Sequence, residues 1–214
     1  YMDLINFADE FILFDDVQYT RRDWRNRNKI KTPHGIHWLT IPVKVKGKFY
    51  QKIKDTYVSD SSWADNHWKT IQFAYSKAPY FKKYKKIFEK LYLENIPDKL
   101  SEINHRFLIS LCKILGIKTK LSWSSDYKVI EGKTDRLSDL CLKTHATEYL
   151  TGPTAKNYID EDLFNKEGIK LTYMDYSDYP EYPQLYPPFE HKVSVIDLIF
   201  HTGHNATKYM KSFK

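Results

Sequence analysis

The sequence predicts an α/β protein: a mainly parallel, Rossmann-like sheet flanked by helices, with a helical insertion around residues 61–115. Three observations predict it. In the C-terminal half, short apolar runs alternate with amphipathic segments, which implies crossover connections between parallel strands. A long central block repeats its apolar residues at helical spacing. The length of 214 residues suffices for one substantial core, so residues 1–214 read as a single domain.

Residues 2–8 read as a short helical piece. The apolar run Phe11-Ile12-Leu13-Phe14 reads as a buried strand that delivers Asp15 and Asp16 at its C-terminal end, where α/β sheets place ligand sites. A polar and aromatic loop from Val17 to Ile30 follows, then a turn at Pro33-His34-Gly35 and a strand over residues 38–43, in which Pro42 marks an edge or a bulge. Helices are expected from Ser61 to the break at Ala78-Pro79, over residues 80–93, and over residues 98–115, where Gly116 stops the last. The remainder alternates: strand 120–123, helix 134–142 with Thr134 as its cap, strand 148–151, helix 155–165, strand 169–174. A Tyr- and Pro-rich irregular stretch over 176–188 then leads to a closing helix over 193–200.

A net charge of +7 favours anionic partners, and aromatic residues at 16% supply rings against which planar ligands stack. Only 7 glycines are present, which argues against phosphate-cradling glycine loops. No Walker A, Rossmann glycine, nucleophile-elbow or zinc-finger pattern occurs. Cys112 and Cys141 both sit in amphipathic patterns and are expected as buried free thiols in a reducing cytoplasm. No apolar run is long enough to span a bilayer, and no leader is read at the start.

The densest concentration of chemistry follows the first strand. Asp15 and Asp16 can orient a ribose or accept a proton; Arg21, Arg22 and Arg27 can grip an anion; Trp24 can stack on a base or sugar; Gln18 and Asn28 add hydrogen bonds. A ligand site is preferred here over a self-contained network of aspartates and arginines. Gly152-Pro153 ends a strand before a helix and reads equally as an anion-binding turn or as an ordinary one. Thr144-His145 reads as a cap or surface pair. Ser194, Asp197 and His201 share a helical face, but local spacing does not make a catalytic triad. Ser194 and Asp197 are expected to hold loops by hydrogen bonds or to line a ligand pocket, and Asp16 and His201 are the acid–base candidates. His201 and His204 lack accompanying cysteines or carboxylates at zinc spacing, so no metal site is expected. The lysine-rich residues 82–90 place their aromatic residues on one helical face and their lysines on the solvated one, which disfavours nucleic acid as a partner.

Asp15-Asp16-Val17-Gln18-Tyr19, Trp24 with Arg27-Asn28, Trp38 through Val43, Tyr149 through Pro153, and Tyr182-Pro183-Gln184 with Phe189 and Asp197 together resemble the WbqC-like family along nearly the whole chain. The resemblance implies a place among O-antigen and related surface-glycan functions, with acyl or aminoacyl transfer onto an amino-sugar nucleotide as one role. A noncatalytic protein that presents a sugar nucleotide or an acyl-carrier protein is the alternative. It carries Asp16, Gln18, Trp24, Arg27, Asn28 and Gly152 as pocket residues, names no cofactor, and implies an opening strand ahead of Tyr1. Two departures stand out: His201-Thr202-Gly203 replaces a more usual Asn-containing ending, and Thr144-His145 stands where a Leu-Gly-like turn is common.

Overall fold

The structure, a computed structural model, describes residues 1–132 and 134–213. In chain order it forms helix α1 (Met2–Phe7), strand β1 (Glu10–Leu13), strands β2 (Arg27–Thr32) and β3 (Gly35–Thr40), and helices α2 (Trp63–Tyr75), α3 (Phe81–Leu93) and α4 (Leu100–Leu115). Strand β4 (Lys120–Trp123), helix α5 (Thr134–Lys143), strand β5 (Glu148–Thr151), helix α6 (Glu161–Lys166), strand β6 (Lys170–Tyr173) and helix α7 (Val195–Thr202) follow. The chain divides into two compact units, residues 1–16 with 118–178 and residues 17–117 with 179–214.

The first unit is α/β. Strands β1 and β4 pair in parallel, Glu10 opposite Lys120 through Leu13 opposite Trp123, and β5 and β6 pair in parallel with Glu148 opposite Lys170. Phe164 of α6 is fully buried with Ala155, Ile159, Ile169 and Cys141, and the Tyr149 ring stacks on it at 5.4 Å. The expected continuous Rossmann-like sheet does not form: among the described residues the hydrogen-bonded sheets have two strands each. The strands explain this. Each parallel strand is four residues long and mostly half-buried, and sequences such as Lys120-Leu-Ser-Trp and Lys170-Leu-Thr-Tyr lack the continuous apolar run that a sheet covered on both faces needs. The helix expected over 155–165 is also broken. A 3-10 turn over Pro153–Asn157 precedes α6, because the Asp160 carboxylate accepts from the N–H groups of Asp162 at 3.1 Å and Leu163 at 3.3 Å and so caps a new start. Thr134 opens α5, and its hydroxyl accepts the Asp160 N–H at 3.3 Å.

The second unit carries the helical insertion where the sequence places it. Its aromatic core is centred on Phe200 of α7, which packs against Tyr75 of α2 and against Phe81 and Phe88 of α3 at 5.0–5.3 Å. In α3 the apolar face holds Phe81, Tyr84, Phe88 and Leu91, while Lys82, Lys83 and Lys86 are exposed. Ile87, expected on the apolar face, is 40% exposed instead. Helix α4 ends at Gly116, whose φ of 74° is left-handed and natural for glycine. Part of the expected loop over 17–30 is a strand: β2 pairs antiparallel with β3 from Arg27 opposite Thr40 to Thr32 opposite Gly35, closing at the predicted turn. The partner supplies what the polar β2 sequence lacks, since Ile30 and Leu39 are buried beneath the hairpin. Cys112 and Cys141 are free and buried, and no described helix is long and apolar enough to cross a membrane.

Candidate functional site

The loop ahead of β2 is anchored at its base. The Asn26 side chain donates to the Ile41 carbonyl at 3.0 Å, the Ile41 N–H donates back to Asn26 at 2.7 Å, and Asn104 of α4 donates to the Arg25 carbonyl at 2.8 Å. Within the loop Asp23 takes Arg25 as its ion-pair partner and accepts from the Thr20 hydroxyl. That pair is structural. Arg21, Arg22 and Arg27, the arginines singled out as anion ligands, form no ion pair among the described residues. Arg22 sits at φ 56°, a left-handed conformation that costs a non-glycine residue energy, and is exposed.

Trp24 and Trp38 make the most distinctive surface of this unit. Their rings lie 5.3 Å apart and are 64% and 36% exposed. Lys29 stands directly opposite Trp38 in the ladder and Arg27 is two residues away, so both point to the same face as that ring. The Arg27 guanidinium lies 4.2 Å from the Trp38 centroid, and the Lys29 ammonium 4.9 Å from it. Arg27 Nε is buried with no hydrogen-bond partner among the described residues. Two exposed indoles and two cations without carboxylate partners form a surface for a planar, anionic ligand. Asn28, on the opposite face of the strand, bonds its own neighbour, the Lys29 N–H, at 2.8 Å.

Arg21 lines a second feature, an open cleft of about 510 Å³, with Lys48, Phe49 and Tyr50. Gln18 donates to the Phe49 carbonyl at 2.8 Å, and Arg21 reaches the Val45 carbonyl at 3.4 Å. The two rings at its rim are 73% and 83% exposed.

A buried polar network joins α7 to the Tyr/Pro-rich segment. Asp197 is 0% exposed and accepts from Tyr75 at 2.8 Å, Tyr182 at 2.7 Å and Gln184 at 2.8 Å, with His201 Nδ1 at 3.2 Å. Burial alone raises a carboxyl's pKa, but the hydrogen bonds from His201, Gln184 and Tyr182 hold Asp197 below the usual range. Burial, reinforced by the Asp197 charge, pushes the Tyr75 and Tyr182 phenols far up, so both stay protonated as donors. His201 Nε2 accepts the Leu185 N–H at 3.0 Å while Nδ1 faces Asp197, so both ring nitrogens are engaged inside the protein. His201 reaches a substrate only by releasing Leu185. Gln184 links the network to Lys31: its carbonyl oxygen accepts from the Lys31 ammonium at 2.6 Å. Lys31 is 5% exposed and also donates to the Pro188 carbonyl.

The remaining candidates lie in the first unit. Asp15 is buried, with the Ser124 hydroxyl at 3.5 Å, and the Asp16 carbonyl accepts from Arg136 at 3.2 Å. Gly152 lies between β5 and the following 3-10 turn, with the Tyr176 hydroxyl 3.9 Å from where a side chain would start. The structure therefore gathers Trp24 and Arg27 on one face and Asp197 with His201 in one network, and it places Arg21 at a cleft whose Phe49 carbonyl accepts from Gln18. Sequence reasoning missed Lys29, Lys31, Tyr75 and Trp38 as members of these groups. A two-residue repeat of cations, Arg27-Asn28-Lys29-Ile30-Lys31, is the signal that marks one face of the strand; nothing local points to Tyr75, which joins from α2. Among the described residues no three His, Cys, Asp or Glu side chains gather as a metal site requires.

The model of the WbqC-like protein family matches residues 1–209. This chain belongs to that family. A WbqC-like relative is the uncharacterized protein Rv1507c of Mycobacterium tuberculosis, 47% identical over 211 residues, covering 99% of this chain and 91% of that protein. No solved structure matches the WbqC-like chain. Tyr182 and Gln184 meet Asp197 of the same WbqC-like chain through direct hydrogen bonds.

Proposed function

We propose that this WbqC-like protein binds an amino-sugar nucleotide and catalyses acyl or aminoacyl transfer onto it in cell-surface polysaccharide synthesis, as one family domain acting in the cytoplasm. The observation that carries the reading is the exposed Trp24–Trp38 pair with Arg27 and Lys29 beside it. A sugar nucleotide presents a planar base and a diphosphate a few ångströms away, and indoles flanked by cations match both groups. Arg21 and Arg22 add positive charge along the same loop. Within the first unit, Asp16 is proposed as a proton acceptor and Asp15 and Gly152 as substrate contacts; Asn28, on the face of β2 away from the rings, is a separate hydrogen-bonding candidate. His201 and Asp197 belong to the proposed site as the pair that fixes the Tyr/Pro-rich segment.

The test is thermal shift across sugar nucleotides and acyl donors, followed by product analysis. Saturable stabilisation with a new acylated sugar supports transfer, and Asp16→Asn then removes turnover while leaving the melting curve in place. Stabilisation without product under any donor favours the second reading, a noncatalytic protein that presents a sugar nucleotide or an acyl-carrier protein. That reading has the same platform in its favour, since stacking and ion pairing serve binding and catalysis alike.

A further inference from the structure

Lys31 is a buried lysine with a cleft beside it. The cleft holds about 200 Å³ and lies between the β2–β3 turn and the segment ending at Glu190. Lys31, Thr32 and Glu190 are its polar lining, and Ile36, Tyr186 and Phe189 contribute apolar walls. Tyr186 is held in a left-handed conformation at φ 62°, pinned by its hydroxyl's bond to the Ala74 carbonyl at 2.8 Å. Spaces for drug-sized ligands run from about 300 Å³ upward, so this one admits a small metabolite rather than a whole sugar nucleotide.

The charges narrow the class. Two acceptors, both uncharged oxygens of Gln184 and Pro188, meet the Lys31 ammonium, which has three N–H groups. Glu190 Oε1 accepts the Lys192 N–H at 2.7 Å. Among the described residues neither Lys31 nor Glu190 forms an ion pair, although both line the cleft. A simple anion is repelled there by Glu190 and by nearby Asp197, and a simple cation by Lys31. A zwitterion of small size satisfies both groups.

We infer that this cleft is a binding site for a free α-amino acid with an uncharged side chain, its carboxylate on Lys31, its ammonium on Glu190 and its side chain against Ile36 and Phe189. Burial pushes the Lys31 amine down against the opposing pull of Asp197 and Glu190, and a bound carboxylate adds to that pull. The assignment concerns ligand class and does not depend on the transfer reaction, because an amino acid held by its carboxylate is not the activated acyl group.

Isothermal titration of the unaltered chain with each proteinogenic L-amino acid tests it, followed by the decarboxylated amine and the deaminated acid of the tightest binder. Saturable binding by an amino acid is expected, with each analogue weaker by about ten-fold or more, the loss of one charge-assisted contact. Glu190→Gln weakens the amino acid, which loses its ammonium partner, and tightens the deaminated acid, which no longer meets a repelling carboxylate, so the preference for the amino acid disappears. Lys31→Met abolishes binding where the variant folds; where it does not, Glu190→Gln decides alone. Binding by none of the amino acids, or an amino-acid affinity that Glu190→Gln leaves intact, overturns the assignment. Titrating a sugar nucleotide into the same samples keeps this outcome separate from that of the proposed function.

Discussion

At the scale of single residues, Asp197 and His67 give the sharpest expectations. Asp197 accepts from Tyr75, Tyr182 and Gln184 and faces His201, so truncation leaves several buried donors without an acceptor. Asp197→Ala is expected to lower unfolding free energy by about 3–5 kcal/mol in urea melts, the usual loss on breaking a buried charged cluster. His67 tests burial in a different way. Burial lowers its pKa to about 4, against the help of the Nε2–H bond to the Thr40 carbonyl at 3.0 Å. The unfolded chain takes up this proton near pH 6.5 and the native state refuses it until about 4, so stability falls as the pH drops through that window. The full loss is about 3 kcal/mol, and His67→Gln should flatten the stability profile between those pH values. The residue's role was hidden in the sequence, where His67 counts only as one member of a helical face. Its neutral state follows from the Trp63 and Tyr92 rings packed at 5.1 and 6.2 Å, a long-range environment that spacing does not encode.

At the scale of elements, legibility follows how much of each element's stability is local. Helices α2, α3 and α4 were readable because their apolar faces repeat every three to four residues, with Pro79 following α2 and Gly116 ending α4. Strand β2 was not: Arg27-Asn-Lys-Ile-Lys-Thr has the composition of a loop, and only its ladder with β3 and the burial of Ile30 make it a strand. The joined sheet expected from strand and helix alternation failed for the converse reason, since alternation specifies order along the chain and not which edges pair. Helix α6 shows a local signal outranked by another. The run of 155–165 is helical in pattern, yet Asp160 restarts it through two side-chain acceptor bonds. Asp160→Ala should therefore cost about 1 kcal/mol, read as a lowered denaturant midpoint with an unchanged slope, whereas Asp160→Asn should cost much less.

At the scale of the whole molecule, a net charge of +7 predicts anionic partners but does not say where they bind. The structure narrows the question within the second unit, where Asp23 engages Arg25 and leaves Arg21, Arg22 and Arg27 without ion pairs. The loop's wealth of planar and charged groups was visible in sequence, but the partner ring Trp38 and the cation Lys29 were not assigned to it, because their approach depends on the register of β2 and β3. The measurement that bears most directly on the account is the affinity of nucleoside-diphosphate sugars for the unaltered protein and for Trp24→Ala, whose exposed side chain can be removed without opening the core. Stacking of a base on an aromatic ring contributes about 1–3 kcal/mol, so saturable binding should weaken roughly 5- to 150-fold in the variant. Equal affinity in the two proteins, or no saturable binding to either, would contradict it.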